Sequence, residues 1–323
     1  MLFFKYFLFF VTIINMISKF IDFIITQNCT YKCAYCSQSK NETTDKQSAD
    51  KKTINSFLNF LTKIDNDFEI TLTGGEAILH PDFYYLIKEI KNLNFKINLI
   101  SNLSFPIEVY QGIFNILDDN LNKFDISCHL DEIKNFNHFL DKLDDFIKLK
   151  PPSTKVKLLI PIYNIDNDKK EKIKQLEIFS KNTGIDFEYQ KIRFLTTYLK
   201  DDSEFQFNIP PVSYAKYCYS GCYSCVIYPD GRAYRCYSSR FIKSNYLGNV
   251  NDYNFKLNKD KKICTQKCCT CPKPVQNEQL TNETNYFLAN LTTLSNLLYL
   301  PILMIKNRKI VLEKFNQYFN LKN

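Results

Sequence analysis

FIDFIITQNCTYKCAYC, residues 20–36, joins a β-rich run to three cysteines, and the reading of the whole chain turns on that junction. Phe20–Thr26 is apolar and rich in strand formers. The chain leaves it at Gln27-Asn28 and delivers Cys29, Cys33 and Cys36 on one short loop. Three soft thiolates at such gaps are ligands for a metal or a cluster. Iron–sulfur clusters are normally held by cysteine thiolates, four for a saturated cubane, so three would leave one iron open to a cosubstrate. A zinc ion completed by a distant residue is the other reading of the spacing.

Outward from this junction, strand and helix patterns alternate. Ser37 to Lys52 is polar and loop-like, and Ile54, Phe57, Leu58, Leu61 and Ile64 recur at helical spacing. Phe68–Thr73 reads as a strand running into Gly74-Gly75. Asp82 is placed to cap a helix carrying Phe83, Leu86, Ile87 and Ile90. Lys96–Ile100, Phe124–Ser127, Val156–Ile162 and Phe187–Ile192 read as strands, and Glu108–Leu117, Glu132–Lys148 and Lys169–Lys181 as the helices between them. The alternation predicts parallel βα units, in an open doubly wound sheet or an incomplete barrel. Either fold binds ligands at the C-terminal ends of its strands. The cysteines, Gly74-Gly75-Glu76, Ser101-Asn102 and the Ser127 region all fall on that edge.

Cys29-Thr30-Tyr31-Lys32-Cys33-Ala34-Tyr35-Cys36 resembles the CxxxCxΦC signature of the radical S-adenosylmethionine superfamily, and Thr71-Leu72-Thr73-Gly74-Gly75-Glu76 resembles its GGE motif. The resemblance implies a partial (β/α)6 TIM-like barrel over residues 20–195. It also implies a catalytic 4Fe–4S cluster on Cys29, Cys33 and Cys36, whose open iron chelates S-adenosylmethionine. Tyr35 would pack near the adenosyl group, and Glu76 would bind the methionyl amine, with the glycines letting backbone approach the ligand. Ser101-Asn102 stands where the family often has Thr-Asn-Gly, with Leu103 in the glycine place. Ser127-Cys128-His129 resembles the ribose-binding strand end, with His129 in the place of an Asp. Reductive cleavage to a 5′-deoxyadenosyl radical and abstraction of a substrate hydrogen are the implied chemistry.

After about Phe194 the βα rhythm stops and eight of the twelve cysteines follow. Tyr228-Pro229-Asp230-Gly231 predicts a hairpin turn. Cys218, Cys236, Cys268 and Cys271 are spaced like the ligands of a SPASM or twitch domain, which implies at least one auxiliary 4Fe–4S cluster within residues 196–285. Cys222, Cys225, Cys264 and Cys269 stay unassigned, and a structural zinc site is the alternative. Residues 286–323 form a helix-prone tail.

Composition agrees with a cored α/β protein: 45% of residues are apolar and 24% charged. The net charge of +8 is scattered, without the basic stripe that nucleic-acid binding prefers. Grouped thiols in a chain too large to need a disulfide framework imply a reducing, cytoplasmic setting. Met1 to Ser18 is strongly apolar, with Lys5 its one charge, and the uncharged stretch from Tyr6 to Ser18 is shorter than the roughly 20 residues a spanning helix needs. An extra core helix, a membrane-surface anchor, or a start at Met16 are the three readings, and the last is favoured. The substrate expected from SPASM-type relatives is a ribosomally made peptide, with a small molecule as the alternative and flavodoxin or ferredoxin as electron donor. A zinc-stabilised binding module is the non-catalytic alternative, and it requires neither Glu76 nor Tyr35.

Overall fold

The computed structural model describes residues 19–36, 47–191, 217–237, 245–260 and 262–263. Where described, residues 19–191 and 223–258 form one compact unit, and 217–222 with 259–263 belong to a second. The first unit follows the predicted alternation. Strands Lys19–Thr26 (β1), Phe68–Gly74 (β2), Lys96–Ser101 (β3), Leu121–Ser127 (β4), Lys155–Ile162 (β5) and Asp186–Lys191 (β6) alternate with helices Lys51–Leu61 (α1), Phe83–Asn92 (α2), Ile107–Leu117 (α3), Phe136–Leu149 (α4) and Asn167–Thr183 (α5). All six strands pair in parallel, each with its neighbour in sequence. This is the partial TIM-like α/β arrangement expected from the sequence.

Alternation along each strand builds the core. Ile21, Phe23 and Ile25 of β1, Ile70 and Leu72 of β2, and Ile97 and Leu99 of β3 bury against the apolar faces of the helices. In α1 that face is Ile54, Phe57, Leu58 and Leu61, each contributing ~1.5–3 kcal/mol on burial. The opposite face of β2–β4 is polar. There Glu69 accepts from Asn98 Nδ2 at 2.9 Å and pairs with Lys123 at 3.0 Å.

Two sequence expectations shift in detail. Helix α4 starts at Phe136 rather than Glu132, because the Asn135 side chain accepts from His138 N at 3.1 Å and takes the capping position. Asp82 stands at the start of α2 without capping it through its side chain. Its carboxylate meets Lys51 Nζ at 3.0 Å instead. His80 is a satisfied buried histidine: Nδ1 accepts from Asp82 N at 3.0 Å, which leaves Nε2 to donate to Ala49 O at 2.8 Å.

Beyond β6 come Tyr217–Cys218 (β7), Ser224–Ile227 (β8), Arg232–Tyr234 (β9), Tyr246–Asn249 (β10) and Lys262–Ile263 (β11). β7 pairs antiparallel with β11 in the second unit. In the first unit, β8 pairs parallel with β1, and β9 and β10 follow antiparallel, giving one sheet in the order β10-β9-β8-β1-β2-β3-β4-β5-β6. Strands from the stretch assigned by sequence to residues 196–285 thus extend the sheet of the first unit. The hairpin expected at Tyr228–Gly231 joins β8 to β9, with Gly231 at φ 82°. The apolar segment 1–18 and the tail 286–323 lie outside the described residues. Among the described residues, no helix is long and apolar enough to cross a membrane.

Candidate active site

The loop after β1 is pinned before it reaches its first cysteine. Gln27 N donates to Gln47 O at 2.7 Å, and Asn28 N to Thr26 Oγ1 at 3.1 Å. Cys33 is buried, while Cys29 and Cys36 are half-buried. A turn closes the loop, with Cys36 N donating to Cys33 O at 3.0 Å. Burial pushes both the Cys29 and Cys33 thiols up, Cys33 to about 12. At neutral pH these sulfurs keep their protons until a metal displaces them.

Gly74-Gly75-Glu76 is built against this loop. A Cβ on Gly74 would stand 2.0 Å from Thr26 O, and one on Gly75 would stand 2.3 Å from Asn28 O. The glycines therefore serve close approach to the end of β1. That approach allows Gly75 N to donate to Thr26 O and Glu76 N to Asn28 O, both at 2.8 Å. Two backbone bonds thus fix Glu76 relative to Cys29.

The Glu76 side chain is 1% exposed. Its Oε2 accepts from Asn102 N at 2.8 Å and from Ser101 Oγ at 3.2 Å. Its Oε1 is buried with no hydrogen-bond partner among the described residues. Burial raises its pKa to about 7. Ionising a carboxyl whose second oxygen has no partner is costly, and a cationic amine would supply both the missing bond and a compensating charge. The residues therefore fit the methionyl end of S-adenosylmethionine beside a cluster on the neighbouring thiolates.

Ser101 and Asn102 follow β3 and act on Glu76 and the cysteine loop. Asn102 Nδ2 reaches Thr30 Oγ1 at 3.0 Å and Cys29 Sγ at 3.6 Å. Leu103 takes φ 55° and is fully buried. Left-handed backbone costs a non-glycine residue ~1–3 kcal/mol. Burial of the side chain offsets that strain, as do Leu103 N donating to Ser101 Oγ at 3.2 Å and Lys142 Nζ donating to Leu103 O at 3.3 Å.

Tyr35 meets residues from two later strand ends. Its hydroxyl hydrogen-bonds His129 Nδ1 at 2.8 Å with the rings stacked, and Tyr163 lies 4.9 Å away, centroid to centroid. Burial pushes His129 down to about 4, so the imidazole is neutral at pH 7. Ser127 closes β4 with a buried side chain.

The structure thus gathers the cysteine loop, Glu76, Ser101 and Asn102 through direct bonds, and ties Tyr35 to His129. Sequence reasoning missed Thr30, Ser104 and Tyr163. Tyr163 follows β5 directly, so the strand-end rule, applied to the fifth strand as well, finds it. Cys268 and Cys271 lie outside the described residues, as do Cys264 and Cys269. Cys218 is described through its backbone in β7, and Cys236 follows β9 half-buried. Cys225, on β8, is fully buried in the apolar core. Among the described residues, no three His, Cys, Asp or Glu side chains converge as a single metal ion requires.

Residues 23–176 match the family described as the Radical SAM superfamily. Among solved structures, Streptococcus suis SuiB bound to S-adenosylmethionine is similar over 73% of this chain and 64% of its own, at 14% identity and a TM-score of 0.54. SuiB bound to its precursor peptide SuiA gives a TM-score of 0.51 at 14% identity, over 73% of this chain and 63% of SuiB. Native anSMEcpe with bound AdoMet gives 0.50 at 12% identity, over 72% and 78%. At such identities the likeness is one of fold, and this chain spans just under two-thirds of the SuiB length. No curated protein matches the sequence.

Proposed function

We propose, on the premise that residues 23–176 are a radical SAM domain, that this chain is a radical SAM enzyme acting on a peptide. The observation that carries the reading is the buried, orphaned Oε1 of Glu76, locked by backbone bonds to the loop of Cys29, Cys33 and Cys36. When bound, the cluster and S-adenosylmethionine supply one-electron, C–H-cleaving chemistry that no side chain of this protein possesses. Cys29, Cys33 and Cys36 would hold the cluster as thiolates. Glu76 would receive the methionyl ammonium at Oε1, while Asn102 N and Ser101 Oγ hold Oε2. Tyr35, stiffened by His129, would wall the adenosyl side and exclude water. Ser127 is proposed for the ribose side on the strength of its strand-end position alone.

A peptide substrate is supported by the fold shared with SuiB, which has been solved with its precursor peptide SuiA. Cysteine spacing alone supports an auxiliary cluster on Cys218, Cys236, Cys268 and Cys271. A flavodoxin- or ferredoxin-type donor and a cytoplasmic setting fit the need for reduced thiolates.

The test is anaerobic reconstitution with iron and sulfide, then dithionite and S-adenosylmethionine. The expected result is absorption at about 400 nm and 5′-deoxyadenosine by mass spectrometry. Absence of both, with zinc retained instead, would reduce the chain to a zinc-stabilised module. Iron beyond one cubane per chain would support the auxiliary cluster.

A further inference from the structure

Asn102 makes contacts that its place beside Glu76 does not require. Its backbone N–H serves Glu76, and its side chain turns the other way, toward the cysteine loop. The orientation of the amide is fixed by its neighbours. Ser104 N donates to Asn102 Oδ1 at 3.1 Å, so Oδ1 is the acceptor and Nδ2 faces Thr30 and Cys29. Thr30 Oγ1, accepting from Nδ2 at 3.0 Å, can pass its own hydrogen to Ser104 Oγ at 2.7 Å. One amide hydrogen is thus taken by Thr30, and the other points to Cys29 Sγ at 3.6 Å. Cys29 Sγ also accepts from Tyr31 N at 3.4 Å, a backbone donor that substitution of Asn102 leaves in place. The Asn102 side chain is 4% exposed, so water competes little for these bonds.

We propose that Asn102 is a positioning and tuning residue for the cluster, donating an N–H···S bond to the Cys29 thiolate that raises the cluster's reduction potential. The inference rests on the function proposed above. The physical ground is the sign of the charge change. Reduction adds an electron to the cluster and its thiolates, and a hydrogen bond to sulfur stabilises the more negative state. Asn102 thereby links the two halves of the site. Its backbone holds the carboxylate meant for the methionyl amine, and its side chain biases the iron that must deliver the electron. Thr30 and Ser104 keep the amide from turning over.

The experiment compares reconstituted wild type with Asn102→Asp and Asn102→Ala. Aspartate keeps the shape and the acceptor for Ser104 N but replaces the donor with an anionic oxygen, and alanine removes the bond without adding charge. Iron and sulfide content is measured first, then the midpoint potential by redox titration followed by electron paramagnetic resonance. Both variants should hold wild-type iron and titrate at lower potential, Asn102→Asp lower than Asn102→Ala. If Asn102→Asp folds poorly by circular dichroism, Asn102→Ala carries the test. A variant that loads normally with an unchanged midpoint overturns the inference and leaves the proposed function standing. Folded variants that cannot hold the cluster also overturn it, because the role assigned is in potential and not in retention. Failure of the wild type itself to take up a cluster would instead sink the proposed function.

Discussion

Two sets of cysteines in the first compact unit have opposite surroundings. Cys29, Cys33 and Cys36 lie on a loop past the end of β1, two of them half-buried, with backbone and side-chain donors reaching Cys29. Cys128 and Cys225 are fully buried in the apolar core beside residues such as Ile126, Ile227 and Ala233, and burial pushes both thiols far up. Position along the chain does not separate them, since Cys128 also follows a strand. Side-chain direction does. Residues that turn into the helix-packed face become small core hydrophobes. Those on the loop after β1, outside that face, can give up a proton to a metal.

The widest gap should appear between Cys33→Ala and Cys225→Ala. Cys33→Ala should abolish formation of 5′-deoxyadenosine and remove the catalytic iron. Cys225→Ala should keep that iron and lose about 1–2 kcal/mol in denaturant unfolding, as small core truncations do. Equal iron loss in both would erase the distinction. Next in size is Gly75→Ala, whose Cβ would stand 2.3 Å from Asn28 O and 2.5 Å from Gln27 O. We expect about 3 kcal/mol of destabilisation and at least a tenfold weaker S-adenosylmethionine affinity by calorimetry. A wild-type unfolding midpoint would show that the β1 end yields.

Glu76→Gln gives a comparable effect with a defined pH signature. Burial raises the folded pKa to about 7, above the ordinary value of 4.5, so ionisation opposes folding as pH rises through that window. Without bound ligand, Glu76→Gln should be more stable than wild type at pH 8 by about 3 kcal/mol. The advantage should vanish below about pH 4.5. Ligand affinity should move oppositely, falling in the variant because the amine loses its anionic partner. A pH-independent difference would remove burial as the cause. The smallest change is Tyr35→Phe, which deletes the bond to His129 Nδ1. We expect about 1 kcal/mol of stability and a several-fold weaker ligand affinity, while iron content stays at the wild-type level.

Much of this was legible in the sequence because it is periodic or local. Apolar alternation located the six parallel strands, while element ends moved by up to four residues, as where β4 begins at Leu121 rather than Phe124 and α4 at Phe136 behind the Asn135 cap. The cysteine loop and Gly74-Gly75-Glu76 were legible as motifs at strand ends. The close approach of the glycines to the β1 end was not, because it depends on the carbonyls of Thr26 and Asn28, far off in sequence. Leu103 at φ 55° was equally hidden, since its strain is offset by contacts from Ser101 and Lys142.

The sequence by itself determined which residue types stand at the C-terminal edge of the sheet, because strand and helix periods are written in single stretches of chain. Only the tertiary structure decided what those residues do to one another. It left Glu76 one orphaned oxygen, turned Asn102 toward Cys29, and joined β8 to β1. Hydrogen bonds and burial couple residues that are distant in the chain, and their distances are set by packing rather than by spacing in sequence.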